Sequence, residues 1–197
     1  IHQNNELGQL LHHTNRFLER LSTSQIDLRR LATRDPLTGM ANRMLITEQL
    51  VNMLARANRS SGLVGVIFLD LDRFKTVNDS LGHDIGDKLL KAVADSLSQQ
   101  VRQQDAVGRL GGDEFLFLVA ANEFADVVVL AERIIKALTK PYLIDGHEIR
   151  TNASLGIAMY PANGDNADTL MRSADLAMYK AKADGVNRWH RYSEDMR

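Results

Sequence analysis

The run Leu63-Val64-Gly65-Val66-Ile67-Phe68-Leu69 contains no polar side chain and closes on Asp70-Leu71-Asp72. Continuous apolarity rich in β-branched residues, without the alternation of a half-wet strand, predicts a strand buried on both faces. The chain must therefore wrap layers around a central sheet, and Asp70 and Asp72 must lie at the carboxyl end of its inner strand. Sheets flanked by helices commonly place ligands there.

The remaining elements follow in order. Leu7, Leu10, Thr14, Phe17, Leu21, Ser24, Leu28 and Leu31 recur at spacings of three and four, which predicts a long amphipathic helix over residues 1–33. It either packs on its own domain or pairs with a second copy as a parallel coiled coil. Arg34-Asp35-Pro36-Leu37-Thr38-Gly39 then brings proline and glycine together and marks a boundary. Helical spacing returns over Met44–Ala57, Asp84–Gln100, Glu123–Leu138 and Asp168–Lys182, and Arg73–His83 reads as a short helix or a loop. Pro141–Ile144, an Asp145-Gly146 turn and Glu148–Tyr160 predict a hairpin, and Arg188–Tyr192 an edge strand. Strand, helix, hairpin, helix, strand is the order of an α+β, ferredoxin-like βαββαβ sheet, here occupying residues 34–192 with a linker at 193–197.

Composition narrows the chemistry. A net charge of -1 among 197 residues offers no broad basic surface for nucleic acid or anionic lipid, so any phosphate must be met by local groups. The absence of cysteine removes thiolate chemistry and disulfides, and is compatible with a reducing compartment. No apolar run is long enough to span a bilayer and no signal peptide is recognisable, so the expected location is cytoplasmic. Because residue 1 is Ile, membrane segments and a sensor domain are expected upstream.

Between apolar runs at Ala106–Leu110 and Phe115–Val119 stands Gly111-Gly112-Asp113-Glu114, which predicts a tight hairpin with two acids at its tip. The pentapeptide Gly111-Gly112-Asp113-Glu114-Phe115 resembles the motif that names the GGDEF family of diguanylate cyclases, and the similarity extends from about Arg34 to Arg191. Asp35-Pro36-Leu37-Thr38-Gly39-Met40-Ala41-Asn42-Arg43 is similar to the family's lead-in motif, and Ala174–Lys182 to its terminal helix. The resemblance implies a nucleotidyl-cyclase or palm-like fold and an enzyme that condenses two GTP into cyclic di-GMP with release of pyrophosphate.

It also implies roles for residues. Asp70, the backbone carbonyl of Leu71, Asp113 and Glu114 match the family's metal positions, and Mg²⁺, with Mn²⁺ as the alternative, suits such hard oxygen donors. Asp113 and Glu114 are the expected catalytic acids, Glu114 serving as metal ligand or as base for the attacking hydroxyl. Asn78 and Asp87 match the guanine-reading pair; a site built on hydrogen bonds to one base rejects another on the order of 10⁴-fold. Phe74, Lys75 and Lys182 complete the expected substrate site, the lysines facing phosphates. Where relatives often carry arginine after that terminal helix this chain has Val186, and Arg188 is the nearby replacement. Arg102 and Asp105 match an RxxD site for inhibitory product, with Arg133 contributed by a neighbouring domain.

Two further readings stand beside an active cyclase. One is a regulatory module that binds GTP or cyclic di-GMP without turnover; the other is a palm-like enzyme making a different product. Each catalytic domain would hold one GTP, so activity implies a homodimer, and the carboxyl-terminal residues resemble a junction preceding a phosphodiesterase EAL domain.

Overall fold

The computed structural model describes residues 2–197. Its centre is β1 (Leu63–Asp72) within a five-stranded sheet ordered β2-β3-β1-β6-β7. The hairpin strands β2 (Ala106–Gly111) and β3 (Glu114–Ala121) lie on one side of β1, and β6 (Asn152–Tyr160) and β7 (Arg188–Arg191) on the other. All neighbours are antiparallel except β6 and β7, which run parallel. The expected ferredoxin-like order is thus present, extended by the parallel edge strand.

The missing alternation in β1 has a direct cause. Ile67, Leu69 and Leu71 join one core cluster with Leu89, Val93, Val127 and Ile134, whereas Val64, Val66 and Phe68 join another with Ile46, Leu50, Leu170 and Ala177. The first face is covered by α4 (His83–Ser98) and α5 (Phe124–Leu138), the second by α2 (Arg43–Ser60) and α6 (Ala167–Asp184). Side chains alternate across a strand, so Asp70 and Asp72 share the face of Val66 and Phe68, toward α6. That helix approaches closely because Gly156 of β6 leaves room: a Cβ there would lie 2.0 Å from the Ala174 carbonyl oxygen.

Helix α3 (Phe74–Leu81) occupies the stretch that sequence left between helix and loop. One expectation is corrected. Glu148–Tyr160 is not a single strand hairpinned to Pro141–Ile144; β4 (Tyr142–Ile144) and β5 (His147–Ile149) form a separate ribbon, and β6 pairs with β1 instead. The break falls at Arg150-Thr151, where buried Thr151 donates its hydroxyl to the Leu138 carbonyl at 3.1 Å. That bond ties the chain to the end of α5, and β6 leaves from there. A second refinement concerns the acidic turn: Gly111 pairs with Glu114, so Gly112 and Asp113 form the tip and Glu114 already belongs to β3. Gly111 (φ 141) and Gly112 (φ 50) adopt the positive angles that glycine tolerates.

Helix α1 (His2–Thr33) stands away from this body. Leu10, Phe17, Leu21, Leu28 and Leu31 are between 46% and 79% exposed, so the reading in which α1 packs its seam on its own domain does not hold. No helix among the described residues is long and apolar enough to cross a membrane.

Candidate active site

The register of β1 decides which acids meet. Asp70 pairs with Glu114 on β3 and with Ser154 on β6, so Glu114 faces the same side as Asp70. The Leu71 N–H donates to the Asp113 carbonyl at 3.2 Å, fixing the hairpin tip over the end of β1. From α6, Lys182 Nζ reaches Asp70 Oδ2 at 2.7 Å. Asp72 is held by the Ser154 hydroxyl at 3.0 Å. Four expected site residues, Asp70, Asp113, Glu114 and Lys182, are therefore gathered at one strand end.

Their electrostatics are strained in one direction. Burial first, and the neighbouring Asp70 second, push the Asp113 carboxyl up to about 6. Burial, then Asp70 and Asp175, also raise Glu114, against the lowering influence of Arg43 and Lys182. Asp72 is raised chiefly by burial, and Lys182 chiefly by its hydrogen bond to Asp70. The other oxygen of Asp70, Oδ1, is buried and has no hydrogen-bond partner among the described residues. Crowded carboxyls with an orphaned oxygen hold negative charge that one lysine does not fully offset.

The hairpin tip is clamped from below. Arg109 donates through Nε and Nη2 to the Gly112 carbonyl at 2.9 and 2.7 Å, and through Nη1 to both oxygens of Asp35 at 2.9 and 3.1 Å. Asp35 also accepts from the Thr38 N–H and hydroxyl at 2.9 and 2.7 Å. Burial opposes ionisation of Asp35, but the bonds from Thr38 and Arg109 outweigh it and hold the carboxyl below its usual value. Arg109, Arg43 and Asp175 were not singled out from sequence. The one available signal was a charged Arg109 inside an otherwise apolar strand.

At the carboxyl end of β1, beside α3 and α4, a recess of about 320 Å³ is lined by Leu71, Asp72 and Phe74, by Leu89 and by Arg150–Asn152. Phe74 is buried and Lys75 exposed at the start of α3. Asn78 follows on α3, its Oδ1 buried and without a partner among the described residues, and Asp87 is exposed in the first turns of α4. The fold thus sets a second group, Phe74, Asn78 and Asp87, around the helix pair α3–α4.

Arg102 and Asp105 lie apart from both groups, at the far end of β2, roughly 20 Å from the tip at 3.3 Å per residue. Asp105 accepts from the Arg102 N–H at 3.3 Å and from the Ala120 N–H at 3.2 Å, so its carboxylate builds the turn, whereas the Arg102 side chain is exposed. Arg133 donates Nη2 to the Gln100 carbonyl, and its Nε is buried without a partner among the described residues. That guanidinium is engaged within its own domain in this structure. Arg188 is packed on Gly185, where a Cβ would lie 2.8 Å from its Nε.

A ferredoxin-like sheet carrying paired acids at the end of its inner strand, with a lysine from the last helix bound to one of them, is the arrangement of a nucleotidyl-cyclase-like domain. Residues 32–188 match the family described as diguanylate cyclase, GGDEF domain, and the chain belongs to that family. It is 46% identical over 167 residues to the bifunctional diguanylate cyclase/cyclic di-GMP phosphodiesterase MucR of Pseudomonas aeruginosa, covering 85% of this chain and 24% of that protein. Against the cyclic di-GMP phosphodiesterase NbdA of the same species it is 36% identical, covering 92% of this chain and 23% of that protein. The chain thus spans about a quarter of the length of these relatives. The crystal structure of the coiled coil and GGDEF domain of DgcB from Caulobacter crescentus, in complex with cyclic di-GMP, superposes with a TM-score of 0.87 at 26% identity, covering 94% of this chain and 98% of that one.

The residues also bear on a divalent ion. No group of three or more His, Cys, Asp or Glu side chains is assembled for a metal among the described residues. What is present is a close carboxylate pair, Asp70 and Asp113, with Glu114 beside it. An orphaned buried oxygen on Asp70, and an Asp113 carboxyl raised by burial and by Asp70 beside it, mark crowded negative charge that suits a hard cation taking few protein oxygens and completing its shell with water and phosphate.

Proposed function

We propose that this chain is a diguanylate cyclase domain that condenses two GTP into cyclic di-GMP. The observation that carries this reading is the register that places Asp70 opposite Glu114, with Asp113 above them and Lys182 bound to Asp70. Asp70, the Leu71 carbonyl and Asp113 would hold Mg²⁺, or Mn²⁺ in its place, with Glu114 either joining them or acting as base. The ion would neutralise charge on the triphosphate and on the leaving pyrophosphate.

The chain's own groups supply the rest. Lys182 sits where it can pass from Asp70 to a phosphate oxygen when a cation takes over the carboxylate, and Lys75 offers an exposed charge at the start of α3. Asn78 and Asp87 would read the guanine edge. Glu114, raised by burial and by neighbouring acids, is suited to accept a proton from the 3′-hydroxyl. One domain holds one nucleotide, so the reaction needs two domains face to face, which the exposed seam of α1 would bring together as a homodimer. Product inhibition at Arg102 and Asp105 fits the exposed guanidinium of Arg102. Arg133 would have to leave the Gln100 carbonyl to join it.

A second reading, a regulatory module without turnover, is favoured by one finding: a relative of high similarity is named as a phosphodiesterase. Incubating the protein with GTP and Mg²⁺ and separating the nucleotides tests both. Cyclic di-GMP is expected, and unreacted GTP from an enforced dimer would favour the silent module.

A further inference from the structure

Glycine is among the poorest residues for a helix interior, because its bare backbone loses the most freedom on folding. Gly86 is nevertheless buried within α4. A Cβ at that position would lie 1.8 Å from Oδ1 and 2.9 Å from Cγ of Asn78, and 3.4 Å from Cζ of Phe74. The first two separations are far inside van der Waals contact, so even alanine would drive the Asn78 amide out of its seat. The backbones of the two helices are linked at the same point: Gly82 N–H donates to the Asn78 carbonyl at 2.9 Å, and Gly86 N–H to the Gly82 carbonyl at 3.1 Å. Helices α3 and α4 therefore cannot spread locally without breaking their junction.

The seat is costly for Asn78 as well. Its Oδ1 is buried and lacks a hydrogen-bond partner among the described residues, a state a free amide would escape by rotating toward water. Packing Oδ1 over Gly86 fixes the plane of the amide and leaves Nδ2 as the group presented to a ligand. Two unfavourable local choices, a helical glycine and an unsatisfied amide oxygen, serve one geometry.

We infer that Gly86 is a positioning residue for nucleobase recognition: its missing side chain holds the Asn78 amide in the orientation that selects the base, without touching the nucleotide. The inference rests on the reading of Asn78 as a base contact. The experiment compares wild type, Gly86→Ala, Asn78→Ala and the double variant, using GTP and ATP as probes for affinity and thermal unfolding for stability. Expected are about tenfold weaker GTP binding in Gly86→Ala, a reduced preference for GTP over ATP, and no further loss when Gly86→Ala is added to Asn78→Ala. Stability should be coupled in the same sense: Gly86→Ala lowers the melting temperature alone but is neutral or stabilising once Asn78 is truncated, because the Cβ then fills vacated space. That double variant keeps the test open if the single one folds poorly. Wild-type GTP affinity and base preference in Gly86→Ala, with both lost in Asn78→Ala, would overturn the inference alone. Wild-type GTP binding in Asn78→Ala would overturn the underlying reading of Asn78, and the inference with it.

Discussion

Arg109 and Asp35 are joined across 74 residues of sequence by a two-bond ion pair at 2.9 and 3.1 Å, each side chain only 12% exposed. The same guanidinium grips the carbonyl of Gly112. One planar cation therefore ties the segment that follows α1 to the loop that carries Asp113. Lysine could not do this, since its ammonium lacks the fixed fork of donors.

Arg109→Ala leaves the Asp35 carboxylate half-buried with only Thr38 to satisfy it, and frees the glycine tip. A loss of about 2–3 kcal/mol in stability is expected at neutral pH, together with a fall in turnover of roughly 100-fold as Asp113 moves off the end of β1. Because Asp35 is held below its usual value, the contribution of its bonds is present above pH 4 and disappears as the pH drops through the lowered value. In denaturant melts the gap between wild type and variant should narrow in acid without closing, because the Arg109 bonds to the Gly112 carbonyl do not titrate; the absence of a gap at pH 7 would show that the pair is energetically idle.

Glu114→Gln preserves size and most hydrogen bonding but removes the charge opposite Asp70. Turnover should drop by at least about 10³-fold while GTP affinity changes by less than about threefold. Calorimetry of binding beside a product assay separates the two, and a variant that still produces cyclic di-GMP at an appreciable rate would strip Glu114 of its role.

Asp113 has a folded value near 6 against an ordinary 3.8. A raised carboxyl stabilises the folded state most below the unfolded value and loses that contribution as pH rises through the folded one. Without divalent ions, wild type should therefore weaken between pH 4 and 6 relative to Asp113→Asn, and the variant should be the more stable protein at pH 7 by about 1–2 kcal/mol after allowance for solvent screening. Adding Mg²⁺ at pH 7 should stabilise wild type and leave the variant nearly unmoved. Melting curves with and without EDTA across this range decide it.

Along α1, Leu21→Asp places a charge in the exposed apolar seam. If that seam pairs two chains, the dimer dissociation constant should rise roughly 100-fold, and activity should fall in parallel at low protein concentration. Analytical ultracentrifugation reports the first and a dilution series the second. Monomeric wild type at tens of micromolar would assign the seam some other use.

Much of this molecule could be read from its residues because the decisive signals are short in range. The unalternating run before Asp70 announces a doubly covered strand, Gly111-Gly112 announces a turn, and the spacing of leucines announces α1. The split at Arg150-Thr151 could not be read, since nothing in Glu148–Tyr160 interrupts its β character locally; the bond from Thr151 to the end of α5 does so from outside. Arg109 stood out only as a charge inside an apolar strand, and its partner could not be read, because Asp35 lies 74 residues away.

The sequence by itself determined which residues can form strands and helices, and that acids stand at the end of the inner strand and on the glycine hairpin. Only the tertiary structure decided which of those acids meet. A strand has a side-chain period of two, so a single-residue slip between β1 and β3 would carry Glu114 to the other face. The register that sets it opposite Asp70 is fixed by the packing of two cores on either side of the sheet.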